Sequence, residues 1–79
     1  MKVKVLFFGA TADAVGKREA FLELNGAANI AAVSELILNS YPELQERNLL
    51  FAVNEEYAQL HTVLNDGDEI AIFTPVSGG

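Results

Sequence analysis

The sequence predicts an α+β fold: a mixed sheet of four or five strands with one main helix against one of its faces. Three observations carry this reading. Ile30, Val33, Ile37 and Tyr41 recur at helical spacing, with Leu36 flanking them, which defines an amphipathic helix. Lys2–Phe8, Arg18–Leu24 and Glu69–Thr74 instead alternate with period two and are rich in β-branched and aromatic residues, as strands are. Turn chemistry separates these runs, at Asn25-Gly26 and at Asn65-Asp66-Gly67-Asp68.

Each element follows in order. In the first strand Val3, Val5 and Phe7 share one face, and Lys2, Lys4, Leu6 and Phe8 the other. That second face begins charged and ends apolar, which is unusual for a side turned to water. Residues 9–16, bounded by Gly9 and Gly16, form a connection with room for a helical turn across Thr11–Val15. The second strand, Arg18–Leu24, points Ala20, Leu22 and Leu24 inward and Glu19, Phe21 and Glu23 outward, and makes a hairpin with the first. Asn29 is a suitable N-cap for a helix from Ile30 to about Ser40. Ala32 at its third position rules out a capping box, and Pro42 ends it by pushing the preceding residue out of helical space. Glu43–Asn48 reads as polar connection. Leu49–Val53 is a short strand, Asn54-Glu55-Glu56 a turn, and Tyr57-Ala58 a further short strand. The last strand, Glu69–Thr74, sets Ile70, Ile72 and Thr74 against Ala71 and Phe73.

One helix cannot cover both faces of such a sheet. If the first and last strands pair in parallel at its centre, Phe8 and Phe73 lie at the same end, both turned away from the helix. Two exposed aromatics there form a partner-binding patch.

The composition bounds what this surface can do. A chain of 79 residues with 51% hydrophobic and 20% charged residues is expected to form a single domain, residues 1–79. It has no cysteine, which excludes disulfides, thiolate-bound zinc and a thiol nucleophile, and is consistent with a cytoplasmic setting. A net charge of −6 argues against nucleic acid and for a basic protein partner. Met1-Lys2-Val3-Lys4 followed by Val5–Phe8 imitates a signal peptide, but the apolar run falls short of the usual 7–15 residues or so. No stretch is long enough to span a membrane.

Conventional catalysis finds no footing. His61 is the single histidine and reads as a surface residue. Nothing positions Ser34 or Ser77 for a triad with it. Gly9 and Gly16 lack the spacing and lysine of a phosphate loop. Glu55 and Glu56 belong to a solvated turn, and Asp66 and Asp68 lack the other ligands of a calcium loop, so turn chemistry explains them. No metal or cofactor is expected to bind.

The chemistry is expected instead in the final residues, Thr74-Pro75-Val76-Ser77-Gly78-Gly79. Gly78 and Gly79 carry no side chain and can enter a channel too narrow for other residues. Pro75 stiffens the exit from the sheet. Residues 75–79, fully extended, reach roughly 16–18 Å. Such a tail suits delivery of a carboxylate into another protein's active site. A carboxylate is a poor electrophile until joined to a leaving group such as AMP.

Several segments together give the chain a family likeness. Phe7-Phe8-Gly9, Tyr41-Pro42-Glu43-Leu44, Ala52-Val53-Asn54-Glu55-Glu56-Tyr57, Leu64-Asn65-Asp66-Gly67-Asp68-Glu69 and Pro75-Val76-Ser77-Gly78-Gly79 resemble the small subunits of molybdopterin synthase. Those are sulfur carriers of the ubiquitin-like β-grasp fold, and the resemblance spans essentially the whole chain. It implies that a ubiquitin-activating-enzyme-like adenylyltransferase, using ATP, adenylates Gly79. A sulfur donor protein then converts the adenylate to a thiocarboxylate. It further implies that the tail enters the synthase large subunit, in a heterotetramer of two small and two large subunits. There the sulfur converts cyclic pyranopterin monophosphate to the molybdopterin dithiolene, with the active site in the large subunit. Phe8, Tyr57 and Phe73 correspond to apolar partner contacts, and Pro75, Val76 and Ser77 lie along the tail's path. Many relatives have Arg-Glu where this chain has Ala12-Asp13, which removes one basic contact and leaves Lys17 or Arg18 to replace it.

Three other readings share parts of this logic. A thiamine-pathway sulfur carrier would have the same fold and tail. A ubiquitin-like modifier would join Gly79 to target lysines. A plain binding module would keep its partner affinity without Gly79.

Overall fold

The computed structural model describes residues 1–75. In chain order its elements are β1 (Lys2–Phe7), α1 (Ala10–Val15), β2 (Glu19–Glu23), α2 (Ile30–Ser40), a 3-10 turn at Pro42–Leu44, β3 (Leu50–Val53), β4 (Glu56–Ala58) and β5 (Glu69–Phe73). The strands form one five-stranded sheet in the order β2-β1-β5-β3-β4. β1 and β5 pair in parallel at its centre, Val5 opposite Ile70 and Phe7 opposite Ile72. All other pairings are antiparallel. This is the ubiquitin-like β-grasp arrangement.

Alternation decides what is buried. Val3, Val5 and Phe7 of β1, Ile70 and Ile72 of β5, and Phe51 of β3 face α2, whose Ile30, Val33 and Ile37 are fully buried. The Phe7 ring meets Tyr41 edge-on at 5.5 Å between centroids, which closes the core beyond the helix end. Asn29 caps α2 as its sequence position suggests, its Oδ1 accepting from the Ala32 N–H at 3.0 Å. Two further first-turn donors are satisfied from outside the helix, Ile30 N–H by the Thr62 carbonyl and Ala31 N–H by that of Leu60. Residues 60–64 therefore act as a strap across the helix N-terminus, where orphan donors would otherwise need water.

The departures from the sequence reading have local causes. β1 ends at Phe7, not Phe8, because Gly9 turns the chain at φ 56°, ψ −126°, a region open essentially to glycine alone. The stretch 9–16 is a six-residue helix rather than a loop with one turn, and it joins the two hairpin strands. β2 is two residues shorter than the alternation suggests, β3 begins at Leu50 rather than Leu49, and Glu56 belongs to β4 rather than to the turn. β5 ends at Phe73, one residue before Thr74. Glu43–Asn48 is not simply polar connection: the 3-10 turn after Tyr41 drives Leu44 into the core, where it is fully buried. Burying a leucine stabilises by about 1.5–3 kcal/mol, enough to fix that connection in place.

Two small features set the edges of the sheet. Thr11 of α1 is completely buried, and its hydroxyl donates to the Phe8 carbonyl at 2.7 Å and the Ile72 carbonyl at 3.0 Å. It also accepts from the Phe8 N–H at 3.0 Å. One side chain thus ties together α1, the end of β1 and the end of β5. At the other side, Asn54 and Glu55 form a two-residue loop between β3 and β4, with φ of 49° and 73°. Both are in left-handed space, which suits asparagine and strains glutamate.

Thr11→Val keeps the volume and removes all three hydrogen bonds; it is expected to lower stability by about 1–3 kcal/mol, read from urea unfolding. Glu55→Gly relieves the left-handed strain, offset in part by the looser unfolded chain. Its unfolding midpoint should rise by the equivalent of up to about 1 kcal/mol.

Candidate functional site

The face of the sheet opposite α2 has no second layer among the described residues, and the strand register lays its side chains out in rows. Leu6, Ala71, Ala52 and Tyr57 are successive partners across β1, β5, β3 and β4. One step towards the C-terminal end of β5, Phe73 lies opposite Leu50, and Phe8 follows the end of β1. The result is an apolar area with a low centre of two alanines and aromatic groups around one end. Tyr57 is 82% exposed and Phe8 50% exposed.

Phe73 differs from its expected state. It is half-buried rather than exposed, because the Tyr57 ring leans over it with centroids 5.8 Å apart. The two rings act as one surface, with tyrosine outermost. Leu6 and Leu50 extend the same patch. Leu6 was legible as the odd apolar residue on β1's outer face, whereas β3 is too short for its alternation to reveal Leu50.

Beside Phe8 the surface falls into a cleft of ≈ 500 Å³ walled by Leu6, Gly9, Ala12, Asp13, Arg18 and Glu19. The sequence left Lys17 or Arg18 as the basic residue near Ala12-Asp13. The geometry separates them: the Lys17 ammonium lies over the Tyr41 ring at 5.7 Å, while Arg18 lines the cleft next to Phe8. On the far side of the cleft wall, Glu19 pairs with Lys4 at 3.3 Å, both partly exposed, so the pair adds little stability but borders the patch with charge.

Asp66 and Asp68 hold structural positions. His61 is exposed. Asp66 accepts from the Lys2 N–H at 2.7 Å. The half-turn further on, Asp68 is buried, accepting from the Asn65 N–H at 2.7 Å and the Asn54 side-chain amide at 3.0 Å. Both carboxylates are turn and strand-end acceptors, as the sequence indicated. Among the described residues no group of three or more His, Cys, Asp or Glu is placed to hold a metal ion. No helix among them is long and apolar enough to cross a membrane.

β5 delivers the chain to this face. Phe73 is its last residue and sits within the patch, and Pro75 beyond it is exposed. Val76, Ser77, Gly78 and Gly79 lie outside the described residues.

Comparison with known proteins agrees with this architecture. The ThiS family profile matches residues 5–79. The molybdopterin synthase sulfur carrier subunit of Chlamydomonas reinhardtii is 36% identical over 83 aligned positions, covering 100% of both chains. Among solved structures, the complex of subunits 1 and 2 of the molybdopterin-converting factor from Helicobacter pylori contains a chain with TM-score 0.71 and 30% identity, each chain covered in full. The small archaeal modifier protein 1 of Methanosarcina acetivorans superposes with TM-score 0.81 at 28% identity, covering 99% of this chain and 96% of that one. With a single-layer β-grasp sheet, an unpartnered apolar face at the end of β5 and full-length similarity of this kind, the chain belongs to the ThiS family, alongside the sulfur carrier subunits of molybdopterin synthase.

Proposed function

We propose that this protein carries sulfur on Gly79 for molybdopterin synthesis and docks on its partners through the open face of the sheet. The observation that carries the reading is the convergence of Phe8, Tyr57 and Phe73 at the point where β5 ends, since a tail starting there emerges from the middle of a contact surface. A protein binding this patch receives the tail at a fixed origin. The structure of the Helicobacter pylori relative with its subunit 2 supports a large-subunit partner of the same kind.

In this reading the Gly79 carboxylate attacks the α-phosphate of ATP in an adenylyltransferase, expelling pyrophosphate. Hydrosulfide supplied by a donor protein displaces AMP and leaves the thiocarboxylate. The loaded tail then enters the large subunit, with Pro75, Val76 and Ser77 along the channel and Gly78 at its narrowest part. There it gives up sulfur to the pterin precursor. The carrier contributes no acid, base or metal ligand to these steps. Its work is positional, through the patch and the length of the tail. Arg18 at the edge of the patch offers an acidic partner group the charge-assisted contact that Ala12 cannot.

A second reading, in which Gly79 is joined to target lysines, is favoured by the likeness to the archaeal modifier. Both readings share the adenylation step and part after it.

The deciding experiment incubates the protein with ATP, a matching ubiquitin-activating-enzyme-like adenylyltransferase and a sulfur source, then alkylates at mild pH and maps the label by mass spectrometry. With no cysteine in the chain, an ATP-dependent label on Gly79 identifies a thiocarboxylate. Absence of label beside an active enzyme refutes the carrier reading, and isopeptide-linked Gly79 in cell extract would establish the modifier. Tyr57→Ala is expected to weaken binding to the synthase large subunit about tenfold or more, as central aromatic anchors do. Because the ring is so exposed, the same variant should lose no more than about 1 kcal/mol of stability, measured by thermal unfolding.

A further inference from the structure

The outer edge of the sheet at β2 is a second contact surface, separate from the patch at the end of β5. β2 has β1 as its single strand neighbour. Its hydrogen-bond phase follows from the ends of the hairpin. Phe7 N–H donates to the Arg18 carbonyl at 2.8 Å, and Leu24 N–H to the Met1 carbonyl at 2.7 Å. In an antiparallel ladder such pairs alternate with non-bonded ones, so residues 18, 20, 22 and 24 bond inward to β1. The N–H and C=O groups of Glu19, Phe21 and Glu23 therefore point away from the sheet, three consecutive free steps of an edge.

The side chains along this edge are organised too. Phe21 is 58% exposed, and the Lys2 ammonium sits 5.4 Å from its ring centroid on the same face. Glu19 and Glu23 flank it two residues away on either side. Across the edge on the helix side runs a groove of ≈ 360 Å³ between β2's end and α2, lined by Leu24, Ala28, Ala32, Glu35 and Leu36, the last 41% exposed. A strand laid along β2 would place alternate side chains over Phe21 on the open face and beside Ala20 and Leu22 on the helix side, with the groove beyond its end.

We propose that the β2 edge accepts an extended segment of a partner protein by strand addition, and that this segment carries an apolar residue between two basic ones on the face over Phe21. The charge pattern selects the occupant. In a two-fold pairing of β2 with a second copy about Phe21, Glu19 would face Glu23 of the other chain at both ends, and like charges directly opposite are unfavourable. Lysine or arginine at those positions meets Glu23 at one end and shares Glu19 with Lys4 at the other, an exposed and weak pair, and the net charge of −6 favours the same partner at long range. Strand addition here leaves Phe8, Tyr57 and the tail free. The inference does not depend on the sulfur-carrier reading.

The test is an NMR titration of the ¹⁵N-labelled protein with a blocked peptide whose Lys-Ile-Val-Leu-Lys core matches this pattern, against a control with both lysines replaced by glutamate. Shifts centred on Glu19, Phe21 and Glu23, slowed hydrogen exchange of those amides, and about tenfold weaker binding of the control are expected. Phe21→Thr keeps a strand-forming residue and should weaken the lysine peptide about fivefold, while the spectrum outside β2 and the facing residues of β1 stays unchanged. The proposal is overturned by shifts centred on Phe8 and Tyr57, by equal binding of the two peptides, or by no binding up to roughly 1 mM. Slowed exchange of the β2 amides with rising concentration of the protein alone, the mark of a self-dimer, would overturn it equally.

Discussion

A five-stranded sheet with one main helix against it has one covered face and one that no other described element covers, and the rest of this structure answers to that shortage. The covered face takes the β-branched aliphatic residues of β1, β5 and α2, all of them fully or nearly fully buried. The uncovered face must be tolerable in water and still useful. Alanine at 52 and 71 lowers its middle, Tyr57 shields Phe73, and charge is held to the rim at Lys4 and Glu19. Such a surface is neither a polar exterior nor a missing core. Its apolar content is concentrated where the last strand ends.

The connections matter as much as the strands. A small domain has little apolar area to bury, so residues outside regular elements supply part of the core. Leu24, Leu44 and Leu64 all come from connections and all are buried. Thr11 performs the corresponding polar task, since its buried hydroxyl adds hydrogen bonds to the Phe8 and Ile72 carbonyls where β1 and β5 end. The Asp66–Asp68 turn does the same at the opposite end, where Gly67 N–H donates to the Lys2 carbonyl and Lys4 N–H to that of Asp68. The central pair of strands is thus fastened at both ends by turns.

Much of this was legible in the residues. α2 was readable to its boundaries because a four-residue apolar period, an asparagine cap and a following proline agree with one another. The inward and outward faces of β1, β2 and β5 were readable for the same reason: period two leaves no ambiguity over five or six residues. Leu44 was not, because one leucine among Glu43, Gln45 and Glu46 has no periodicity to betray it, and only the 3-10 turn turns it inward. The helix at Ala10–Val15 was half-seen, since its alanines favour helix while its six residues are too few for a pattern. The apolar patch was anticipated through Phe8 and Phe73 from a guess at strand pairing. Leu50 joined it only once the β3–β5 register was known. The different surroundings of Lys17 and Arg18 needed three dimensions, because they rest on the Tyr41 ring lying under the Lys17 ammonium and the cleft beside Arg18.

The central position of β5 has a consequence for the life of the polypeptide as it is made. Glu69–Phe73 lies between β1 and β3, so both halves of the sheet hang on the strand that is synthesised after all the others. A product truncated ahead of it lacks Ile70 and Ile72, leaves β1 with an open edge, and cannot close its core. Such fragments stay unfolded and open to proteases, while the chains that reach the folded state have already been translated up to the threshold of the tail. Folding thereby selects for chains complete as far as Phe73, the residue from which the tail sets out.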